Sequence, residues 1–124
     1  MAKKRFQAAI EMAERSQNQQ VEPEHSMLSL LEQSEGITKP LLGKLGVNVQ
    51  TLTTELQGVV NRFPRVQGGQ QYFSPRTTQV FNAAQDAAEK MQDEYVSTEH
   101  LLLAISEEKD HAGKLLRQHG VQAR

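Results

Sequence analysis

Apolar side chains recur along this chain in three- and four-residue steps, the spacing that gives a helix one buried face. Phe6, Ala9, Ile10 and Ala13 set the rhythm first. They predict a helix over about 4–18, ending in the polar run Ser16–Gln20. Pro23 suits the first turn of a second helix, where its missing N–H costs nothing. Met27, Leu28, Leu30 and Leu31 give that helix its apolar face, and Gly36 stops it. A short third helix, about 38–45, ends at Gly46, which suits a left-handed stop with Val47 folding back on Leu42. Asn48 is a good N-cap for a fourth helix, about 49–61, buried through Leu52, Leu56, Val59 and Val60.

Residues 62–73 break the pattern. Pro64, Gly68-Gly69 and Gln70-Gln71 mark a connector, with Tyr72 and Phe73 placed to pin its end to the body. Ser74-Pro75 is a strong helix start, with Ser as N-cap and Pro as first helical residue. The fifth helix is expected to reach about Met91 and to bury Val80, Phe81, Ala84, Ala87, Ala88 and Met91. Ser97 caps a sixth helix whose stretch Leu101–Ile105 is apolar on every side, which predicts a central position. A seventh helix, near His111–His119, ends at Gly120-Val121 like the third.

The pattern repeats. Phe6-Gln-Ala-Ala9 lies over Phe81-Asn-Ala-Ala84, and the register then holds through Ala13/Ala88, Glu14/Glu89, Gln17/Gln92, Val21/Val96 and Glu24-His25/Glu99-His100. After one deleted residue, Leu41-Leu42 and Gly46-Val47 fall on Leu115-Leu116 and Gly120-Val121. About fifteen identities over some forty positions mark a duplicated helical unit. The expected fold is all-α, one pseudo-two-fold domain over 1–124: repeat one about 4–61, the connector 62–73, repeat two about 74–124. The counterpart of the fourth helix is missing after Arg124, which reads as a truncated last helix and a module cut from a longer polypeptide.

Lys and Arg number 14 against 15 Asp and Glu, and the basic residues are dispersed apart from Lys3-Lys4-Arg5. Phosphate-driven nucleic-acid binding has little support from that balance. The chain has no cysteine, so neither disulfides nor thiol chemistry enter. No apolar run approaches the length of a membrane span or a signal-peptide core. The expectation is a cytoplasmic domain with no nucleic-acid or membrane partner. No nucleophile–base pair, metal-ligand spacing or Gly-rich phosphate cradle stands out, so neither a catalytic residue nor a metal site is assigned.

At Val21-Glu-Pro-Glu-His25 and Val96-Ser-Thr-Glu-His-Leu-Leu-Leu-Ala-Ile105 the paired pattern resembles the Clp repeat of the N-terminal domain of Clp-type AAA+ unfoldases. Arg62-Phe-Pro-Arg-Val-Gln-Gly-Gly69 is more similar to the ClpB disaggregase branch, and Phe73-Ser-Pro-Arg76 is equally similar to ClpC. The resemblance implies two four-helix repeats, joined flexibly to ATPase rings that hold ATP and Mg and assemble as a homohexamer. The domain itself would be monomeric, take no cofactor and hydrolyse nothing. Its implied role is to engage unfolded or aggregated protein segments. The alternative is an adaptor- or phosphoarginine-binding domain of the ClpC kind.

The resemblance nominates Glu24, Glu99 and Asp93 for contact with substrate or partner. Phe81 and Leu101 are either core or the floor of an apolar groove. First-turn complementarity with the helix dipole, about 0.3–1 kcal/mol, rationalises Glu24 and Glu99 equally well. Pro23 stands where ClpC-like proteins have threonine, which weakens the phosphoarginine version. Near Lys3 no threonine matches the one that the ClpB branch uses at the start of helix one. His25 and His100, with Pro23 and Ser97, are expected as structural parts of helix starts rather than metal ligands.

Overall fold

The structure is a computed structural model that describes residues 2–32, 38–66, 68–90, 98–107 and 111–120, without the side chains of 2–6, 98, 99 and 111. Among the described residues the elements are α1 (Ala2–Arg15), β1 (Gln20–Val21), α2 (Pro23–Glu32), α3 (Thr38–Lys44), α4 (Val49–Asn61), β2 (Tyr72–Phe73), α5 (Pro75–Lys90), α6 (Thr98–Ser106) and α7 (His111–Gln118). The helices agree with the apolar rhythm. Met91, Ser97, Gly36 and Val121, which the sequence reading used at element ends, lie outside the described residues, as does the side chain of Phe6.

Helix α2 is the axis of the fold and packs against all six other helices. The sequence foresaw a central α6; its duplicate α2 is central too, and the two pack on each other. One apolar face was expected for α2, yet every residue from Pro23 to Leu31 is buried, Glu24, His25, Ser26 and Ser29 included. A helix buried all round must satisfy its polar side chains internally. Ser29 does so locally, its hydroxyl donating to the Ser26 carbonyl at 2.7 Å. The main core joins Met27, Leu28, Leu30 and Leu31 to Leu42, Leu52 and Leu56, and to Phe81, Leu101, Ile105 and Leu116. Each such side chain contributes about 1.5–3 kcal/mol through removal from water.

Helix stops shape the rest. Gly46 has φ +82°, and the N–H groups of Val47 and Gly46 donate to the carbonyls of Leu42 and Gly43 at 3.0 and 3.1 Å, the bond pair of a Schellman stop. Gly120 repeats the left-handed turn at φ +90°, its N–H donating to Arg117 at 3.0 Å. Helix α1 ends by the same device, but with Gln17 in the left-handed position at φ +59°. Asn18 and Gln17 donate there to Ala13 and Glu14 at 2.9 and 3.0 Å. With no glycine to signal it, that stop comes earlier than the polar run implied. Helix α4 starts as expected, with the Asn48 side chain accepting from the Thr51 N–H at 3.0 Å.

Tyr72 and Phe73 do more than pin the connector. They pair in parallel with Gln20 and Val21, so the connector ends in a strand laid against the segment between α1 and α2. Two-residue strands of this kind carry no amphipathic period, and pattern alone cannot reveal them.

Candidate functional site

Two polar hubs sit at the N-terminus of α2, where repeat one meets the connector and repeat two. The first is built on His25. Glu22 caps the helix, Pro23 and Glu24 form its first turn, and His25 stands at the third helical position. From there Nδ1 of His25 accepts the backbone N–H of Glu22 at 2.8 Å, as the Glu of a capping box would. Because Nδ1 accepts, the proton sits on Nε2, which donates to Oδ1 of Asn18 at 2.9 Å. The early stop of α1 is what turns Asn18 inward to meet it. Asn18 in turn donates from Nδ2 to the Pro64 carbonyl at 3.1 Å, while the ring of Phe63 packs on His25 with centroids 5.6 Å apart. Burial disfavours the imidazolium and lowers the His25 pKa to about 4.

This hub holds the connector down. Val66 N–H donates to Gln17 at 2.8 Å, Tyr72 N–H to Gln19 at 3.0 Å and Ser74 N–H to Val21 at 3.2 Å. The Thr77 hydroxyl also donates to the Val21 carbonyl, at 2.6 Å. A segment that reads as a loop is therefore a strap, bonded at Pro64, Val66, Gln71, Tyr72 and Ser74 to residues 17–21.

The second hub is Glu24. Its side chain is 0% exposed. Oε2 accepts from the Arg76 guanidinium at 3.0 Å and from the backbone N–H of Ala112 at 2.8 Å. One carboxylate thus joins α2 to the first turns of α5 and α7, and it meets the positive end of the α7 dipole. Arg76 also stands 3.7 Å from Glu22. Burial raises the Glu24 pKa, and the charge of Arg76 pulls against it.

The nominated residues therefore divide. Glu24 was nominated for partner contact, but it lies in the interior with protein partners. Leu101, 0% exposed, and Phe81, 6% exposed, lie in the core rather than on a groove floor; Phe73 meets Phe81 edge-on from outside at 5.1 Å. His25, His100 and Pro23 are buried at helix starts. Asp93, Ser97 and the side chain of Glu99 lie outside the described residues. Among the described residues no three His, Asp or Glu side chains converge as a metal would need, and no helix is long and apolar enough to cross a membrane.

Sequence reasoning missed Asn18, Arg76 and the strap. A buried acid at a helix start demands a cation, but nothing local said which arginine would supply it. Asn18 carried no signal beyond membership of a polar run.

Comparison with known proteins agrees with this architecture. The chain is 38% identical over 115 residues to the chaperone protein ClpB of Porphyromonas gingivalis, covering 93% of this chain and 13% of that protein. It is 41% identical over 102 residues to ClpB of Bdellovibrio bacteriovorus, covering 81% and 12%. The chain thus spans about an eighth of the length of these relatives. Among solved structures, the Hsp104 N-terminal domain of Candida albicans superposes with a TM-score of 0.82 at 20% identity, covering 97% of this chain and 79% of that one. The N-terminal domain of the ClpV1 ATPase of Escherichia coli gives 0.82 at 21% identity, covering 96% and 74%. With residues 1–119 matching the Clp repeat N-terminal domain, the chain belongs to that family.

Proposed function

We propose that this chain is the client-engaging module of a ClpB-like protein disaggregase. It holds apolar stretches of unfolded or aggregated polypeptide weakly and passes them to an ATPase ring. The observation that carries the reading is its 33–41% identity to proteins named ClpB, over most of its own length. Weak binding follows from elementary magnitudes. Burying ~400 Å² at ~25 cal/mol/Å² yields ~10 kcal/mol, against an association cost of roughly 4–15 kcal/mol. A module that must release its cargo works in that regime.

Asp93 and Glu99 are the proposed contact residues, and Glu24 is assigned to the scaffold because its carboxylate is buried and bonded within the fold. ATP, Mg and the hexameric state belong to the parent protein in this reading, with adaptor proteins as further partners. Titrating reduced, carboxymethylated α-lactalbumin into the ¹⁵N-labelled chain should shift amides at and around Asp93 and Glu99; an unchanged spectrum removes the proposal. Phosphoarginine capture of the ClpC kind is disfavoured, since Arg76 of the chain itself occupies the Glu24 carboxylate. Binding of free phosphoarginine that disappears in Glu24→Ala plus Glu99→Ala would restore it.

A further inference from the structure

Four large apolar side chains are notably exposed among the described residues, and three of them, Val66, Tyr72 and Phe73, come from one strap. Tyr72 is 50% exposed and Val66 41%. A flexible loop could hide such side chains by collapsing. This strap cannot, because its backbone is bonded to residues 17–21 at Val66, Tyr72 and Ser74 and is held through Pro64 by Asn18. The apolar surface is therefore held in place before any partner arrives, which lowers the ordering cost of binding.

Two depressions share Val66 as a wall. The first, about 130 Å³, is walled by Phe63, Pro64, Val66 and Tyr72 on the strap and by residues 18–20 and 22 opposite. The second is wider and more open, with Glu14, Gln17 and Gln71 on its walls. The first is well below the roughly 300–1,000 Å³ of a cofactor pocket, and its size suits one side chain. Among the described residues, the only charged one lining the first is Glu22, which already faces Arg76 at 3.7 Å, and the only one lining the second is the exposed Glu14, with no cation beside it in that lining. The remaining polar walls are largely carboxamides, which pair with peptide N–H and C=O groups in either direction.

The geometry points to a second client contact on this face: the strap binds an extended polypeptide segment that carries an aromatic or aliphatic side chain next to a lysine or arginine. The apolar side chain enters the cleft between Phe63 and Tyr72. The neighbouring cation lies against Glu14 in the second depression, and the carboxamides take up backbone groups. This rests on the client-engaging reading but uses residues other than Asp93 and Glu99, so it fails or survives by itself.

The test is titration of the ¹⁵N-labelled chain with two blocked peptides, acetyl-Gly-Lys-Phe-Lys-Gly-amide and acetyl-Gly-Glu-Phe-Glu-Gly-amide. The lysine peptide should shift the amides of Gln19, Gln20, Val66 and Tyr72 and bind at least fivefold more tightly than the glutamate peptide. Val66→Ser plus Tyr72→Ser replaces only exposed side chains and keeps every strap bond, so its melting curve should stay near that of the parent while lysine-peptide affinity falls about tenfold. Equal affinity for the two peptides, shifts confined to other faces, or full binding by the double variant each overturns the inference. Carboxymethylated α-lactalbumin run alongside separates the readings. Shifts near Asp93 and Glu99 with a silent strap sink this inference and leave the client-engaging function standing.

Discussion

Acidification should destabilise this domain through one histidine. His25 is fully buried, its Nδ1 accepts a backbone N–H, and its pKa is lowered from 6.5 to about 4. Between those values the unfolded chain binds a proton at this position and the folded chain does not, so stability is lost as the pH falls. The contribution is complete above pH 6.5 and declines by about 1.4 kcal/mol per pH unit below it. The loss reaches roughly 2 kcal/mol at pH 5 and about 3 kcal/mol near pH 4, where the folded state also takes up the proton. Glu24 works in the opposite sense: its raised pKa gives stability that is present below 4.5 and is lost as the pH rises. Subtraction separates the two. Urea unfolding followed by circular dichroism at pH 7.5, 6.5, 5.5 and 5.0 should be compared with the same series for His25→Gln, which retains Glu24, His100 and His119. With a urea slope of about 1–3 kcal/mol/M, the wild-type midpoint should fall by on the order of 1 M more than the variant's between pH 7.5 and 5. Parallel profiles would refute the assignment of a neutral, proton-refusing His25 to the strap.

Glu24→Ala should cost about 3 kcal/mol in urea unfolding, because it leaves the Ala112 amide and part of Arg76 without their acceptor, whereas Glu24→Gln keeps one acceptor and should cost about half as much. A Glu24→Ala protein as stable as its parent would return this residue to the list of surface contacts. Gly46→Ala should destabilise by about 1–2 kcal/mol although an added Cβ meets nothing within 4 Å, since the penalty is the left-handed backbone itself. Gly58→Ala, inside α4 and equally open, should stabilise by about 0.5–1 kcal/mol in the same assay. Asn48→Ala removes the Thr51 cap and should lower stability by about 1 kcal/mol, read as a drop in melting temperature of a few degrees.

Local physics made much of the fold legible. The core residues of α4, Leu52, Leu56, Val59 and Val60, are those the three- and four-residue rhythm selected. Gly46 and Asn48 ended and began helices because a left-handed turn favours glycine, which has no Cβ to clash, and an N-cap favours a short polar side chain. The stop at Gln17 escaped notice because a non-glycine residue there has no signature; packing around Asn18 and Val21 holds a backbone that its own preference resists. The candidate site was legible only as a pair of matching Glu-His dipeptides. That His25 would hold Asn18, and Glu24 would hold Arg76 and the start of α7, depends on contacts between residues 7, 52 and 88 positions apart.

By itself the sequence determined the helices, most of their ends, the duplication and the family, because each rests on preferences that act within a turn or two of chain. Only the tertiary structure decided which polar residues go inside. Glu24 looked like a surface contact and is a buried joint; residues 62–73 looked like a loop and form a strap with an exposed apolar rim. The physical reason is desolvation. Whether a carboxylate or a peptide group is costly or stabilising in the interior depends on partners that distant segments bring to it, and one-dimensional patterns do not carry that information.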